Sequence, residues 1–458
     1  MKQNTRKTII HKVLLLLLCV LMVGMQACST APASSEESTA PSESEAVSAS
    51  ESSEPSSTEE EITLRVSWWG SDTRTSKTIE FLELYASENP GIHFEYEYPE
   101  DYTTKLLTQA MSNDMPDIPQ TDYTVLSSWG KEGYVIDLQT YVDNGTIDFS
   151  NVEESYYSPG VTDGKLYGVS NGVTAFVMLY NKRIAEECGI TFKPGYTWDD
   201  LYAWSQKVYD QTGAKAQTLA HAGDGNILII QHAREMGYYT YNEDGTAFGF
   251  PVDIVKDVFE MQYKFLTSGF GVDADLAVEK GIYEESLITT GEQWYQTTWS
   301  SMYGSIQSVS EDELGIAVMP RSADATDWPN YTKPTNFMSI SKDSQYADAC
   351  AKVINYIANS TEVHKILNLD RGVPISTVVR NEITSDPEIL PETARLMEFF
   401  STYDQYAVPV DPPYPDAHGN IVGDDVFGAY QQAFLFGQMT PEEAAENFYN
   451  DASALLAE

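Results

Sequence analysis

The chain is poor in basic residues and in cysteine. Its 458 residues carry 27 Lys and Arg against 69 Asp and Glu, a formal net charge of −42. A surface this acidic excludes nucleic acid as a partner, because phosphate backbones are held by clustered Lys and Arg. It equally excludes electrostatic adhesion of the folded part to anionic lipid. Only four cysteines are present. Cys19 falls in an apolar leader and Cys28 at its end. Cys188 and Cys350 remain, both within helix-like segments, and are expected as two buried free thiols rather than a bridge. The six histidines show no H-E-x-x-H spacing and no nearby cysteine pair, which excludes the common zinc patterns. No cofactor is expected.

Long apolar runs are also scarce. The longest, Val13–Val23, follows the basic "MKQNTRK" and is too short to span a bilayer as a helix. It is followed by "MQAC", Met25–Cys28. Residues 1–28 read as a signal peptide, and the small residue before Cys28 resembles a bacterial lipobox. That resemblance implies diacylation of Cys28, a palmitate-bearing anchor and a place on the outer face of the cell membrane. Residues 29–60 hold almost only Ser, Ala, Pro, Thr and Glu, with no aromatic or basic residue. Such a stretch cannot bury enough apolar area to offset its ordering entropy, so it reads as a disordered tether.

What is abundant is aromatic area: 12% of the residues, including 29 Tyr and 8 Trp. Flat rings exposed to solvent suit ligands with flat apolar faces. The first half of the folded chain alternates strand and helix patterns. "EITLRVSWW" and "IHFEYEYPE" read as strands, "SKTIEFLELYASENPG" and "DYTTKLLTQAMSNDM" as helices. A short apolar run then leads into Gln120–Tyr123. β-α-β-α-β order predicts an open α/β sheet with ligand chemistry at the carboxyl ends of the strands. "TWDDLYAWSQKVYD" predicts a helix capped by Thr197. "ELGIAVMP" and "TNFMSIS" are extended, and the C-terminal third is mostly helical. "GVSNG" fits the nucleophile-elbow pattern, but that motif needs a following helix. Here "VTAFVMLY" follows, a strand pattern, so no catalytic serine is assigned.

In this order and spacing, "VSWWGSD", "NPGIHFEYEY", "KLLTQAMSNDMPDIPQTDY", "GKLYGV…LYNKRIAEECGI", "TWDDLYAWSQKV", "LGIAVMP" and "SKDSQYADACAKVINYIANSTEVHKIL…RGVPIS" resemble bacterial extracellular solute-binding proteins of the sugar type, the receptors of ABC importers. The resemblance implies a two-lobe α/β fold of the periplasmic-binding-protein type. The first lobe would comprise residues 62–170 and 336–371, the second 171–335 and 372–458. Hinges would fall near Gly172, Asn336 and Arg371. It implies a carbohydrate ligand, the transmembrane subunits of an ABC permease as partners, and no covalent chemistry. A lipid-anchored glycoside hydrolase and a surface adhesin are the rival readings.

Sugars are held by aromatic faces and by planar polar groups that pair with adjacent hydroxyls. Candidate ligand residues therefore cluster at strand ends and crossovers. They are Trp69 and Asp72; Gln120, Asp122 and Tyr123; Asn171 and Thr174; Asp224 and Asn226, in a loop flanked by glycines; Trp299 and Tyr303; and Asn336 and Arg371. Alternation in the first strand gives Trp68 to the core and Trp69 to the ligand. "DAHGNIVGDD" lacks a calcium-loop pattern and reads as a surface loop.

Overall fold

The computed structural model describes residues 61–218, 222–281, 284–412, 414–415, 417–422 and 424–457. The leader, Cys28 and the tether lie outside the described residues.

The first strand, β1 (Ile62–Ser67), pairs in parallel with β2 (Ile92–Glu97) and with β3 (Ile118–Thr121). Parallel neighbours need crossover helices, and α1 (Asp72–Glu88) and α2 (Tyr102–Ser112) supply them. α1 begins where Ser71 caps it, its hydroxyl accepting from the Arg74 amide at 3.3 Å. Just before the cap, Gly70 has φ 148°, and a Cβ there would lie 2.1 Å from Arg74 Cδ. The break after the two tryptophans therefore requires glycine. α1 buries Phe81, Leu82 and Tyr85 against the sheet.

The sheet continues through a different kind of strand. β4 (Val169–Asn181) is 13 residues long and buried throughout except for Tyr180. Its first half pairs antiparallel with β7 (Thr332–Met338), which in turn pairs with β3. Its second half lies between β5 (Tyr295–Trp299) and β6 (Leu314–Ala317), both antiparallel to it. The strand order is β2-β1-β3-β7-β4-β5, with β6 also on β4. One path links both halves, because β4 is long enough to serve each in turn. Register shifts between Ser170 and Gly172, and between Gly172 and Val173, mark the join. Bulges of this kind bend a strand and increase its twist.

At that bend three segments meet. Gly172 stands opposite Asn336 in the β4–β7 register. A Cβ on Gly172 would sit 2.1 Å from the Arg371 carbonyl oxygen. One residue on, Val173 and Val373 exchange both backbone hydrogen bonds, at 2.9 and 2.8 Å. The segment carrying Arg371 is also clasped to α1. Arg74 Nε pairs with Asp370 at 3.0 Å, Lys77 Nζ donates to the Leu367 carbonyl at 2.7 Å, and Arg371 Nη2 donates to Thr78 Oγ1 at 3.0 Å.

Helices cover the antiparallel half. α3 (Trp198–Thr212) starts with the predicted Thr197 cap, completed as a capping box by Asp200. α4 (Ala222–Glu235) occupies the stretch read from the sequence as a glycine-flanked loop. Two glycines in "AGDGN" signal a turn, but the apolar run Ile227–Ile230 behind them is buried and carries the segment into a helix. α5 (Asp253–Leu266) and α6 (Pro441–Leu456) follow the expected periodicity. Cys188 and Cys350 are both free and buried.

Gly172→Ala must push apart backbone that has no flexible side chain to yield. It should destabilise the protein by about 1–3 kcal/mol. Urea unfolding checks this, and a midpoint equal to that of the parent would contradict the tight crossing.

Candidate functional site

β1 ends at Ser67, so both tryptophans lie just beyond it. Trp68 is fully buried, its Nε1 donating to Thr75 Oγ1 at 3.3 Å and its ring stacked on Tyr98 at 5.4 Å. Trp69 is half-buried and leans on Tyr102, ring centroids 5.3 Å apart. It borders a small aromatic cluster that also contains Tyr123, Trp129 and Phe337.

A cavity of about 150 Å³ opens at the far side of that cluster. It is lined by Asp122 and Tyr123 from the end of β3, by Asn226, Ile227 and Ile230 from α4, and by Trp299 from the end of β5. Tyr331 and Lys333, at and just before the start of β7, and Val410, Tyr414, His418 and Val422 complete it. Four residues expected from the sequence therefore converge here: Asp122, Tyr123, Asn226 and Trp299. They come from segments about 180 residues apart, brought together by the bend in β4.

The walls are held firmly. Tyr123 donates its hydroxyl to the Asp411 carbonyl at 2.6 Å. Asp411 is itself buried against Arg234, at 2.9 Å, which fixes the C-terminal loop over the cavity. Tyr414 stacks on His418 at 4.1 Å, and His418 Nδ1 shares a hydrogen bond with the Tyr241 hydroxyl at 2.7 Å. Burial pushes the His418 pKa down to about 4, with Lys333 nearby adding to the effect and Asp122 opposing it. The imidazole is therefore neutral at pH 7. On the opposite wall the Lys333 ammonium lies 4.2 Å from the centre of the Trp299 ring, and Phe176 meets that ring edge-on at 5.3 Å.

The remaining expected residues lie elsewhere. Asp72 is exposed in the first turn of α1. Asn171, Thr174 and Asn336 are buried at the crossing of β4 and β7. Asn171 Nδ2 donates to Asn336 Oδ1 at 2.5 Å, and Thr174 meets Ser300 at 3.1 Å. Gln120 and Arg371 are also buried there. Neither amide atom of Gln120 has a partner among the described residues, nor do Nε and Nη1 of Arg371. Burial lowers the Arg371 pKa to about 9. Tyr303 is a core residue: it is fully buried, donates to the Leu314 carbonyl at 3.0 Å and accepts from Arg395 at 2.7 Å. Its hydroxyl is occupied within the core, away from the cavity. Asp224 falls in the first turn of α4, a helical position rather than the expected loop.

Eight lining residues were not anticipated, among them Tyr331, Lys333, Tyr414 and His418. His418 belongs to the segment read as a surface loop. The structure corrects that reading, since His418 is 6% exposed and faces the cavity. Aromatic and histidine side chains amid prolines and glycines were the available signal. A larger hollow of about 300 Å³ lies on the other side of α4, lined by Trp198, Gln231 and Asp257 among others. It contains none of the candidate ligand residues read from the sequence. No cluster of three or more His, Cys, Asp or Glu suited to a metal occurs among the described residues.

Residues 69–363 match the family of bacterial extracellular solute-binding proteins, and the chain belongs to that family. The arabinooligosaccharide-binding protein of Bacillus subtilis is 25% identical over 149 residues, 32% of this chain and 34% of that protein. The maltodextrin-binding protein of the same organism is 20% identical over 346 residues, covering 69% of this chain and 78% of that one. The matched stretches span 38% and 34% of the first two curated relatives, about a third of their length. Among solved structures, a family 1 extracellular solute-binding protein from Alicyclobacillus acidocaldarius superposes with a TM-score of 0.72 at 24% identity, over 88% of this chain and all of that one. The fold is thus the two-lobe α/β architecture of periplasmic solute-binding proteins.

Trp299→Ala removes the aromatic wall of the cavity, whereas Trp69→Ala removes a ring that rests on Tyr102. The first should weaken ligand binding by about tenfold or more, on the scale of one lost aromatic contact. The second should weaken it less. Calorimetric titration of both variants checks the order, and an equal or reversed effect would move the site toward Trp69.

Proposed function

We propose that the protein is the carbohydrate receptor of an ABC importer. It captures a mono- or oligosaccharide between two lobes and presents the closed form to the permease. The observation that carries this reading is the composition of the cavity. Flat aromatic surfaces, Trp299, Tyr331 and Tyr414, stand beside planar or charged polar groups, Asp122, Asn226 and Lys333. Aromatic faces cover the C–H patches of a sugar ring while polar groups satisfy its hydroxyls, and unmet polar groups would penalise an apolar substitute. The names of two relatives, one binding arabinooligosaccharides and one maltodextrin, support the same ligand class.

The lobes are proposed as residues 62–170 with 336–371, and 171–335 with 372–458. The crossing at Gly172, Asn336 and Arg371 would act as the hinge. A ligand shifts an open–closed equilibrium only by binding the closed form better. Residues from both lobes line the cavity in this division, Asp122 and Tyr123 from the first and Asn226 and Trp299 from the second, as that requirement demands. The same cavity argues against a glycoside hydrolase. Hydrolysis needs two carboxyl groups flanking the bond, and among the described lining residues Asp122 is the single carboxylate.

A thermal-shift screen of the full chain against neutral and acidic mono- and oligosaccharides tests the reading. Ligand at a hundred times its Kd adds about 2.7 kcal/mol to stability, so a true ligand raises the melting temperature and is recovered intact. A sugar recovered cleaved would establish an enzyme, and no response to any saccharide would refute the receptor.

We also propose that Cys28 is the lipid-bearing N-terminus of the mature protein, which would hold it at the outer face of the cell membrane. The reading rests on the basic and apolar leader that ends in "MQAC"; among the described residues no helix is long and apolar enough to cross a membrane. Mass spectrometry of the membrane-associated form should find a diacylated Cys28, and Cys28→Ala should release the protein into the medium. Retention of the variant at the membrane would sink this assignment.

A further inference from the structure

We propose that the cavity selects an acidic saccharide, one whose ring stacks on Trp299 while its anionic substituent pairs with Lys333. The proposal rests on the reading of the cavity as a sugar site and goes beyond it in naming the charge of the ligand.

The starting point is where Lys333 sits: in the cavity wall, over the face of Trp299. Among the described residues, Lys333 is one of six lysines, with Lys77, Lys165, Lys193, Lys207 and Lys352, that have no carboxylate oxygen within 4.0 Å, and of these six it is the one that lines the cavity. Lys105, Lys182, Lys215, Lys256, Lys264 and Lys365 each hold a carboxylate at 3.3 Å or less. Lys333 has no carboxylate within 4.0 Å among the described residues, although Asp122 lines the same cavity. Its ammonium lies over the face of Trp299, 4.2 Å from the ring centre. The ammonium is thus a cation parked on the aromatic surface that a sugar ring would need.

That placement makes the charge of the ligand matter. A ring arriving on Trp299 displaces the ammonium and forfeits the attraction between cation and π-face. A neutral sugar offers only hydroxyls in exchange. An acidic sugar supplies an anion to the displaced ammonium, a charge-assisted bond of roughly twice the strength of a neutral one. The other titratable wall does not compete. Burial holds His418 neutral at pH 7, and its Nδ1 is engaged with Tyr241. Asp122 faces the same space and, by repulsion, favours ligands that direct their anionic group toward Lys333 and their hydroxyls toward the β3 end. Lys rather than Arg at this point fits a single anionic oxygen group without demanding bidentate geometry.

The test is calorimetric titration of the full chain with digalacturonic acid, with the neutral galactose disaccharide of the same linkage, and with galactose 6-sulfate and galactose 6-phosphate. The wild type should bind an acidic sugar at least tenfold more tightly than its neutral counterpart, with a preference that declines as salt rises. The galacturonate, sulfate and phosphate arms tell which acid group is recognised. In Lys333→Gln the ratio of acidic to neutral affinity should fall to about one, and in Lys333→Arg it should stay well above one. Unchanged melting temperatures establish that both variants are folded. Equal or tighter binding of the neutral sugar, or a preference that survives in Lys333→Gln, overturns the proposal and leaves the sugar receptor standing. Binding of no sugar at all, neutral or acidic, overturns both.

Discussion

The crossing of β4 over the segment after Arg371 is the constraint on which the rest depends. Gly172 packs against a carbonyl oxygen so closely that a methyl group has no room. Around that contact β4 is paired to β7 on one side and tied to Val373 on the other. A strand fixed this way cannot slide, because slipping its register by one residue would turn every buried side chain outward. It can bend, since the bulges on either side of Gly172 interrupt the ladder. Rigidity in register together with compliance in bending is what a receptor with a closing cleft requires.

The site follows from the same strand. Its second half carries β5 and β6, so the carboxyl end of β5, with Trp299, is delivered toward the carboxyl end of β3, with Asp122 and Tyr123. Neither end alone makes a pocket. The C-terminal loop then closes the remaining side, held by Tyr123 donating to the Asp411 carbonyl and by Arg234 paired with the Asp411 side chain. That pair is buried on both sides, so breaking one member would leave an uncompensated charge. The loop is consequently part of the wall rather than a mobile cover.

How much of this was legible in the sequence depended on the range of the interaction. Local signals read well. Thr197 before an acidic first turn gave a true cap, and Trp68 is buried and Trp69 half-exposed as read, although both lie just past the end of β1. Segments at strand ends could be placed near a cleft by their position in an α/β order. Side-chain direction at the crossover could not, because bulges change which face a residue takes. Asn171, Thr174 and Asn336 accordingly turned out to be bonded to neighbours within the crossing. Tyr303 went to the core because a short 3₁₀ turn, Ser300–Met302, follows β5 and turns the chain before the next helix begins. The glycines near Asp224 pointed to a loop, but burial of the apolar run behind them decided for a helix. His418 and Tyr414 were harder to read for a different reason. Their segment has no periodicity of its own and acquires a role only when it is laid over a cavity built elsewhere.

Lys333 shows what such a cavity adds to composition. In the sequence it is one of few cations in an acidic chain, and nothing local marks it out. It rests on Trp299, where the ring quadrupole replaces a counter-ion only in part. A cation held this way remains available to an incoming charge, unlike one committed to an ion pair. The same acidic surface that keeps the protein soluble repels anionic ligands at long range, by a field that salt screens beyond about 10 Å. Recognition of an anion therefore has to be local, made within the cavity by a group whose charge is not already spent. Lys333 meets that condition at the point where a stacked sugar would bring its substituents, and with His418 neutral on the opposite wall the charges among the described lining residues are those of Lys333 and Asp122.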